Sequence, residues 1–220
     1  RGPQATAHGA NGLAGVVNLV SIAPSAEPQG YLRLGLAQDE TLFVSAAYSQ
    51  ALSDSLNARI AVQQYQSNGF VKNAYLQRDD THDIKETNAR LAFHYQSSAQ
   101  QAFTLNLFHG YVNNGYDAFS LDNDNVSQAD EPGHDRLKGE GITLSSMTDY
   151  HWGTLTLSGA ALSSNSLYSY DEDWTYVGFH PWEYSSVDAY YRDRDNHSLA
   201  VIARSQQDLE QAHWTLGAQF

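Results

Sequence analysis

Residues 88–110 read NARLAFHYQSSAQQAFTLNLFHG. Ala89, Leu91, Phe93 and Tyr95 alternate with Asn88, Arg90, Ala92 and His94. After a small polar break at residues 98–100, Phe103, Leu105 and Leu107 alternate with Thr104, Asn106 and Phe108. Successive side chains on a strand point to opposite faces, whereas a helix repeats every 3.6 residues. The alternation predicts two strands joined by a tight turn, one face apolar and the other largely polar.

The same pattern extends in both directions. Leu32, Leu34 and Leu36 share a phase in residues 31–38, and Leu42, Val44, Ala46 and Tyr48 share one in residues 41–52. Leu56, Ala58, Ile60 and Val62 alternate with Asn57, Arg59, Ala61 and Gln63. Further on, residues 140–149 form the sixth segment, Leu155 and Leu157 alternate with Thr154, Thr156 and Ser158, and Leu199, Val201 and Ala203 follow. A ninth segment puts Trp214, Leu216, Ala218 and Phe220 on one face. The expectation is all-β, an antiparallel meander of nine strands.

Connection lengths add a direction. Tight turns are expected near Ser53 and Asp54, at residues 98–100, 151–153 and 206–209. Long polar connections are expected at about residues 67–86, 113–139 and 165–195, with only the one near Asp39 short. A soluble sandwich has no reason to segregate short and long connections, but a transmembrane barrel does, with short periplasmic turns and long outer loops. On this reading Leu32, Leu34, Leu36, Leu56, Ile60, Val62, Leu91, Phe93, Leu105, Leu107, Leu155 and Leu157 meet lipid. Asn57, Arg59, Arg90, His94, Thr104, Asn106 and Thr156 face the lumen, since an arginine at the lipid midplane costs roughly 2–4 kcal/mol. Single-chain bacterial barrels use an even strand count, so an odd count implies a chain that stops inside its barrel.

Composition agrees. The hydrophobic share is 41% yet mean hydropathy is −0.49, as a wall with one polar face would give. No apolar stretch is long enough for a transmembrane helix. With no Cys, disulfides, thiol catalysis and cysteine zinc sites are excluded. A formal net charge of −13 argues against a nucleic-acid partner. The 14 Tyr and 4 Trp suit interfacial girdles or a ligand surface. No signal peptide opens the chain at Arg1.

The first residues differ from the rest. RGPQATAHGANGLAGVVNLV, residues 1–20, sets Gly9, Gly12 and Gly15 at equal spacing before an apolar run. This string resembles the end of the plug domain in TonB-dependent outer-membrane receptors, with Arg1, Gly2, Pro3, Gly9, Gly12, Gly15 and Asn18 at matching positions. His8 stands where the family usually has an aromatic. The resemblance implies a partial transmembrane β-barrel preceded by the C-terminal tail of a plug: residues 1–28 as plug end and linker, residues 29–220 as the N-terminal part of the barrel. It further implies an outer-membrane active-transport receptor that binds a scarce nutrient, such as a siderophore–iron complex or cobalamin, at its outer loops. Import would use TonB-coupled energy, and outer-membrane lipid and the TonB complex would be partners. A passive porin, a barrel-anchored adhesin and a soluble all-β binding domain are the alternatives.

The loops offer candidate sites. The third long connection concentrates Tyr168, Tyr170, Trp174, Tyr176, Phe179, His180, Trp182 and Tyr184, with Tyr190 and Tyr191 beyond. Aromatic faces bind planar ligands, and they also form membrane girdles. The second carries Asp117, Asp122, Asp124, Asp130, Glu131 and Asp135, which reads as a solvated acidic loop. Within it Asp122, Asn123 and Asp124 offer hard oxygens for calcium, though not at EF-hand spacing. His134 and His180 have no partner at metal-ligand spacing. No Gly-x-Ser-x-Gly elbow occurs, and Ser145, Ser146 and His151 are as well explained by a strand surface, so catalysis is not expected.

Overall fold

A computed structural model describes residues 20–181, 184–206 and 213–220. Its strands are β1 (Gln29–Ala37), β2 (Thr41–Ser53), β3 (Leu56–Ser67), β4 (Lys72–Asn73), β5 (Ile84–Ser98) and β6 (Gln101–Tyr116). They continue with β7 (Val126–Ser127), β8 (Gly133–Tyr150), β9 (Gly153–Asp171), β10 (Val187–Ser205) and β11 (Thr215–Gln219). No helix occurs among the described residues.

Nine strands form one sheet in the order β1-β2-β3-β5-β6-β8-β9-β10-β11, each antiparallel to its neighbours in the sheet. This is the expected meander, and it is open: β1 and β11 form its edges. The turn between β1 and β2 shows why the chain reverses there. Asp39 and Glu40 both have positive φ, 56° and 52°, matching the twist of a two-residue hairpin turn. Thr41 closes the turn, its N–H donating to the Gln38 carbonyl at 3.2 Å and its hydroxyl at 2.6 Å.

Directly paired residues share a face, so the register sorts the side chains. One row runs Ile60–Leu91–Leu107–Ile142–Ala161, and the next Ala58–Phe93–Leu105–Leu144–Gly159–Leu199. The opposite face carries Asn57–His94–Thr104–Ser145–Ser158 and Ala61–Arg90–Phe108–Gly141–Leu162–Asn196. Arg59 and Arg90 are therefore on the polar face, as the phase predicts. Phe108 there fits because Gly141 is bare: a Cβ at Gly141 would stand 2.1 Å from the Phe108 ring. Ser145 and Ser146 pair with Thr104 and Phe103, on opposite faces, and do not converge.

The apolar face is uncovered. Leu34 is 69% exposed, Leu36 85%, Leu144 54% and Leu199 64%. The buried apolar residues among the described ones are only Ala47, Val71, Ala92, Ala102 and Ala129. The polar face, in contrast, is crossed by the chain on its way into β1. Ser25 N–H donates to Ser49 Oγ at 2.7 Å, Ala51 N–H donates to the Ala26 carbonyl, and Arg90 Nη1 donates to Ser21 Oγ at 2.9 Å. Ser49 is fully buried by this crossing.

The strands run past their expected ends on the side of the long connections. β6 reaches Tyr116, β8 starts at Gly133, β9 reaches Asp171 and β10 starts at Val187. Those connections shrink to residues 68–83, 117–132 and 172–186. Beyond the apolar belt both faces become polar: the Lys138–Asn165–Asp193 row backs onto Leu137–Ser166–Arg192. Alternation fades there while backbone pairing continues, so the pattern understates strand length. The expected turn at 206–209 falls mostly outside the described residues.

Candidate functional site

The three long connections interlock at one end of the sheet. β4, in the first, pairs in parallel with β7, in the second: Lys72 with Val126 and Asn73 with Ser127. Asn73 is 1% exposed and lies at the centre of this junction. Its Nδ2 donates to Asp117 Oδ2 at 2.9 Å and to the Ala129 carbonyl at 2.8 Å, while its Oδ1 accepts from Leu76 N–H at 2.8 Å. Ser127 Oγ donates to the other oxygen of Asp117. Asp117 is thus buried at 3% exposure, which corrects the reading of a solvated acidic loop at this one residue, whereas Asp122, Asp124, Glu131 and Asp135 are exposed. A buried carboxylate is tolerated because each oxygen has a donor.

The third connection docks onto the second. Asp130 N–H donates to the Thr175 carbonyl at 3.2 Å. Asp171, at the end of β9 and 4% exposed, accepts from Asp173 and Trp174 N–H through Oδ1, at 3.2 and 3.0 Å. Its Oδ2 is buried with no hydrogen-bond partner among the described residues. Burial first, then the neighbouring Asp173 carboxylate, push the Asp171 carboxyl up to about 7, against the pull of the Trp174 and Glu131 N–H groups.

Aromatic rings from all three connections stack across these junctions. Trp174, with φ +64°, lies flat on Phe119, centroids 4.7 Å apart and planes 1° from parallel. Tyr176 stacks on Tyr75 at 4.2 Å, and Phe179 meets Tyr176 and His180 edge-on. Tyr184 donates its hydroxyl to Glu172 at 3.2 Å. Tyr168 and Tyr170 are on β9 rather than in the loop, and Tyr190 and Tyr191 are on β10. Tyr168 packs edge-on against Tyr116, 4.9 Å away, and Tyr170 donates to Asp188 at 2.9 Å. Trp182 and the seven residues Arg1, Gly2, Pro3, Gly9, Gly12, Gly15 and Asn18 lie outside the described residues. Phe119, Tyr75, Tyr116 and Asn73 are not among the site residues expected from the sequence, because what they touch lies far from them in the chain.

The turn at Asp122, Asn123 and Asp124 is exposed, with Asn123 at φ +55°. Asp124 Oδ1 accepts from the Ser120 hydroxyl at 2.7 Å and from Val126 N–H at 2.9 Å, and these bonds hold its carboxyl below the usual range. No group of three or more His, Cys, Asp or Glu is placed to hold a metal among the described residues.

A long antiparallel meander with one apolar face and interlocked connections at one end is comparable with known folds. The ferric yersiniabactin uptake receptor FyuA from Yersinia pestis matches with a TM-score of 0.84 over 99% of this chain, at 15% sequence identity. At that identity the likeness is one of fold. The chain spans 34% of the length of FyuA, so the open sheet corresponds to an arc of the FyuA barrel. No family model matches the sequence, and no curated protein matches it.

Proposed function

We propose that this chain is the plug end and the first barrel strands of an outer-membrane, TonB-dependent active-transport receptor. Such a receptor binds a scarce nutrient, a siderophore–iron complex, cobalamin or a similar compound, at its outer connections and imports it with TonB-coupled energy. The observation that carries the reading is the two-faced sheet: leucines stand uncovered on one side, while the chain enters β1 across the other through Ser21, Ser25 and Ala26. Uncovered apolar surface costs about 25 cal/mol per Å2 in water, and lipid removes that cost. Backbone groups within lipid must be paired, which a closed barrel achieves and an open sheet does not.

The porin and adhesin readings need no segment bonded along the polar face. A soluble binding domain would cover its leucines with a second layer. The reading requires no covalent chemistry, since the work is binding and gated passage. The likeness to FyuA supports the fold from which it starts.

The test is uptake by the full-length protein in outer membranes, with a panel of ferric chelates and cyanocobalamin. Accumulation that stops when the proton gradient is collapsed or TonB is deleted supports active transport. Accumulation indifferent to both would return the porin reading to first place.

A further inference from the structure

The chain does not run straight into β1. Ser25 lies against β2: its N–H donates to Ser49 Oγ at 2.7 Å, and the Ser49 hydroxyl donates in turn to the Ala58 carbonyl of β3 at 3.2 Å. One residue on, the Ala26 carbonyl accepts from Ala51 N–H at 3.1 Å. Ser21 lies farther across the polar face, where its hydroxyl accepts from Arg90 of β5 at 2.9 Å. β3 separates β2 from β5, so Ser49 and Arg90 stand on strands two spacings apart, ~9.6 Å. The four steps from Ser21 to Ser25 reach ~13 Å when extended, which spans that distance with little slack. Residues 21–28 therefore lie across the strands as a strap.

The strap is stiff. Pro24 and Pro28 bracket its central turn, and a proline ring fixes its own φ and restricts the residue before it. Between them Glu27 N–H donates to the Ser25 hydroxyl at 3.2 Å, closing a local turn. A segment already held in its bound shape loses little entropy by staying bound. Ser49 beneath it is fully buried, and Ser25 is half-buried.

What the strap guards is β1. Pulled from Gln29, β1 would part from β2 one residue pair at a time, beginning at Gln29 and Ser49, and each hydrogen bond alone contributes little. Loss of β1 would open the wall and leave backbone groups unpaired in lipid. A pull on the chain ahead of Ser21 meets Arg90 first and Ser49 next. The load then falls on two different strands before it reaches Gln29.

We propose that residues 21–28 are a strain-relief anchor: they stay bonded to β2 and β5 while the plug is pulled, so the load of each uptake cycle ends at Arg90 and Ser49 and β1 remains in the wall. The inference rests on the transport reading, which supplies the pull, and adds where that pull stops. Arg90 and Ser49 act here by holding the chain, and neither is required to touch the nutrient.

The experiment uses the full-length receptor in lipid vesicles and in cells. In vesicles, force microscopy draws the chain from its N-terminus. Wild type should show a rupture peak at the extension where the chain ahead of Ser21 is taut, before any peak from β1. The double variant Ser49→Ala, Arg90→Gln should lose that peak, while Ser158→Ala, on the same face far from the strap, should keep it. Urea unfolding should barely distinguish the three, because the strap bonds are few; a general weakening of the fold would shift it. If the double variant does not insert, Ser49→Ala alone is read in the same way. In cells, energised uptake by the double variant should admit vancomycin, which an intact outer membrane excludes, and deletion of TonB should abolish that sensitivity. A peak that survives the substitutions, or TonB-dependent uptake by the double variant without any leak, overturns the anchor and leaves the transport reading standing. Wild-type uptake that is indifferent to TonB removes the transport reading, and the load on the strap with it.

Discussion

Asn73 Nδ2 donates to Asp117 Oδ2 at 2.9 Å, a bond between residues 44 positions apart that joins two connections. Both residues are almost fully buried, so neither has water to fall back on. Asn73→Ala removes a donor from a buried carboxylate and should cost about 1–3 kcal/mol locally. Limited proteolysis should then cut within residues 68–83 and 117–132 at concentrations that spare wild type. Unchanged cleavage would mean the β4–β7 pair holds the junction without Asn73.

The register assigns Arg90 and Leu91 to opposite faces. Leu91→Arg puts a cation in the leucine belt and should lower stability in lipid by roughly 2–4 kcal/mol. Arg90→Leu loses the bond to Ser21 and should cost much less. Urea unfolding of the full-length protein in lipid vesicles compares the two. The reverse order of damage would refute the face assignment.

Asp171 makes the outer connections sensitive to pH. Its folded value of about 7 lies above the ordinary 3.8, so the folded state binds the proton more tightly than the unfolded one. Its contribution is therefore greatest in acid and declines as pH rises through 7. The docking of residues 172–186 should resist protease better at pH 5 than at pH 8. Asp171→Asn keeps an oxygen for the Asp173 and Trp174 N–H groups and removes the charge, so it should flatten that difference.

Trp174 presents one face to Phe119 and remains 37% exposed. If the nutrient rests on its other face, Trp174→Ala should weaken binding by about 1–2 kcal/mol, some 5- to 30-fold in Kd. Phe119→Ala should act in the same direction by releasing the indole from its plane. A titration of the full-length receptor with its transported nutrient measures both, and unchanged affinity in Trp174→Ala removes this residue from the ligand surface.

Much of the sheet was legible in advance. The leucine phase in residues 31–38, the alternation around Arg90 and the break at residues 98–100 each fix strand, face or turn through local chemistry alone. The upper strand ends were not legible, because above the belt Lys138, Asn165 and Ser166 carry no alternation to read. The aromatic residues Tyr168 and Tyr170 looked like loop residues for the same reason. Of the site, the sequence offered the ring-rich stretch but not its partners: Phe119 under Trp174, Tyr75 under Tyr176 and Asn73 beside Asp117 are separated by tens of residues from what they touch.

The sequence by itself determined the period, and with it the all-β meander, its nine strands and which side of each strand is apolar, because side-chain direction along a strand depends only on local parity. Only the tertiary structure decided which distant residues meet. Asp117 is buried and held rather than solvated, and Trp174 lies on Phe119. Those outcomes depend on strand register and on loops closing over one another, and neither is encoded in any short window of chain.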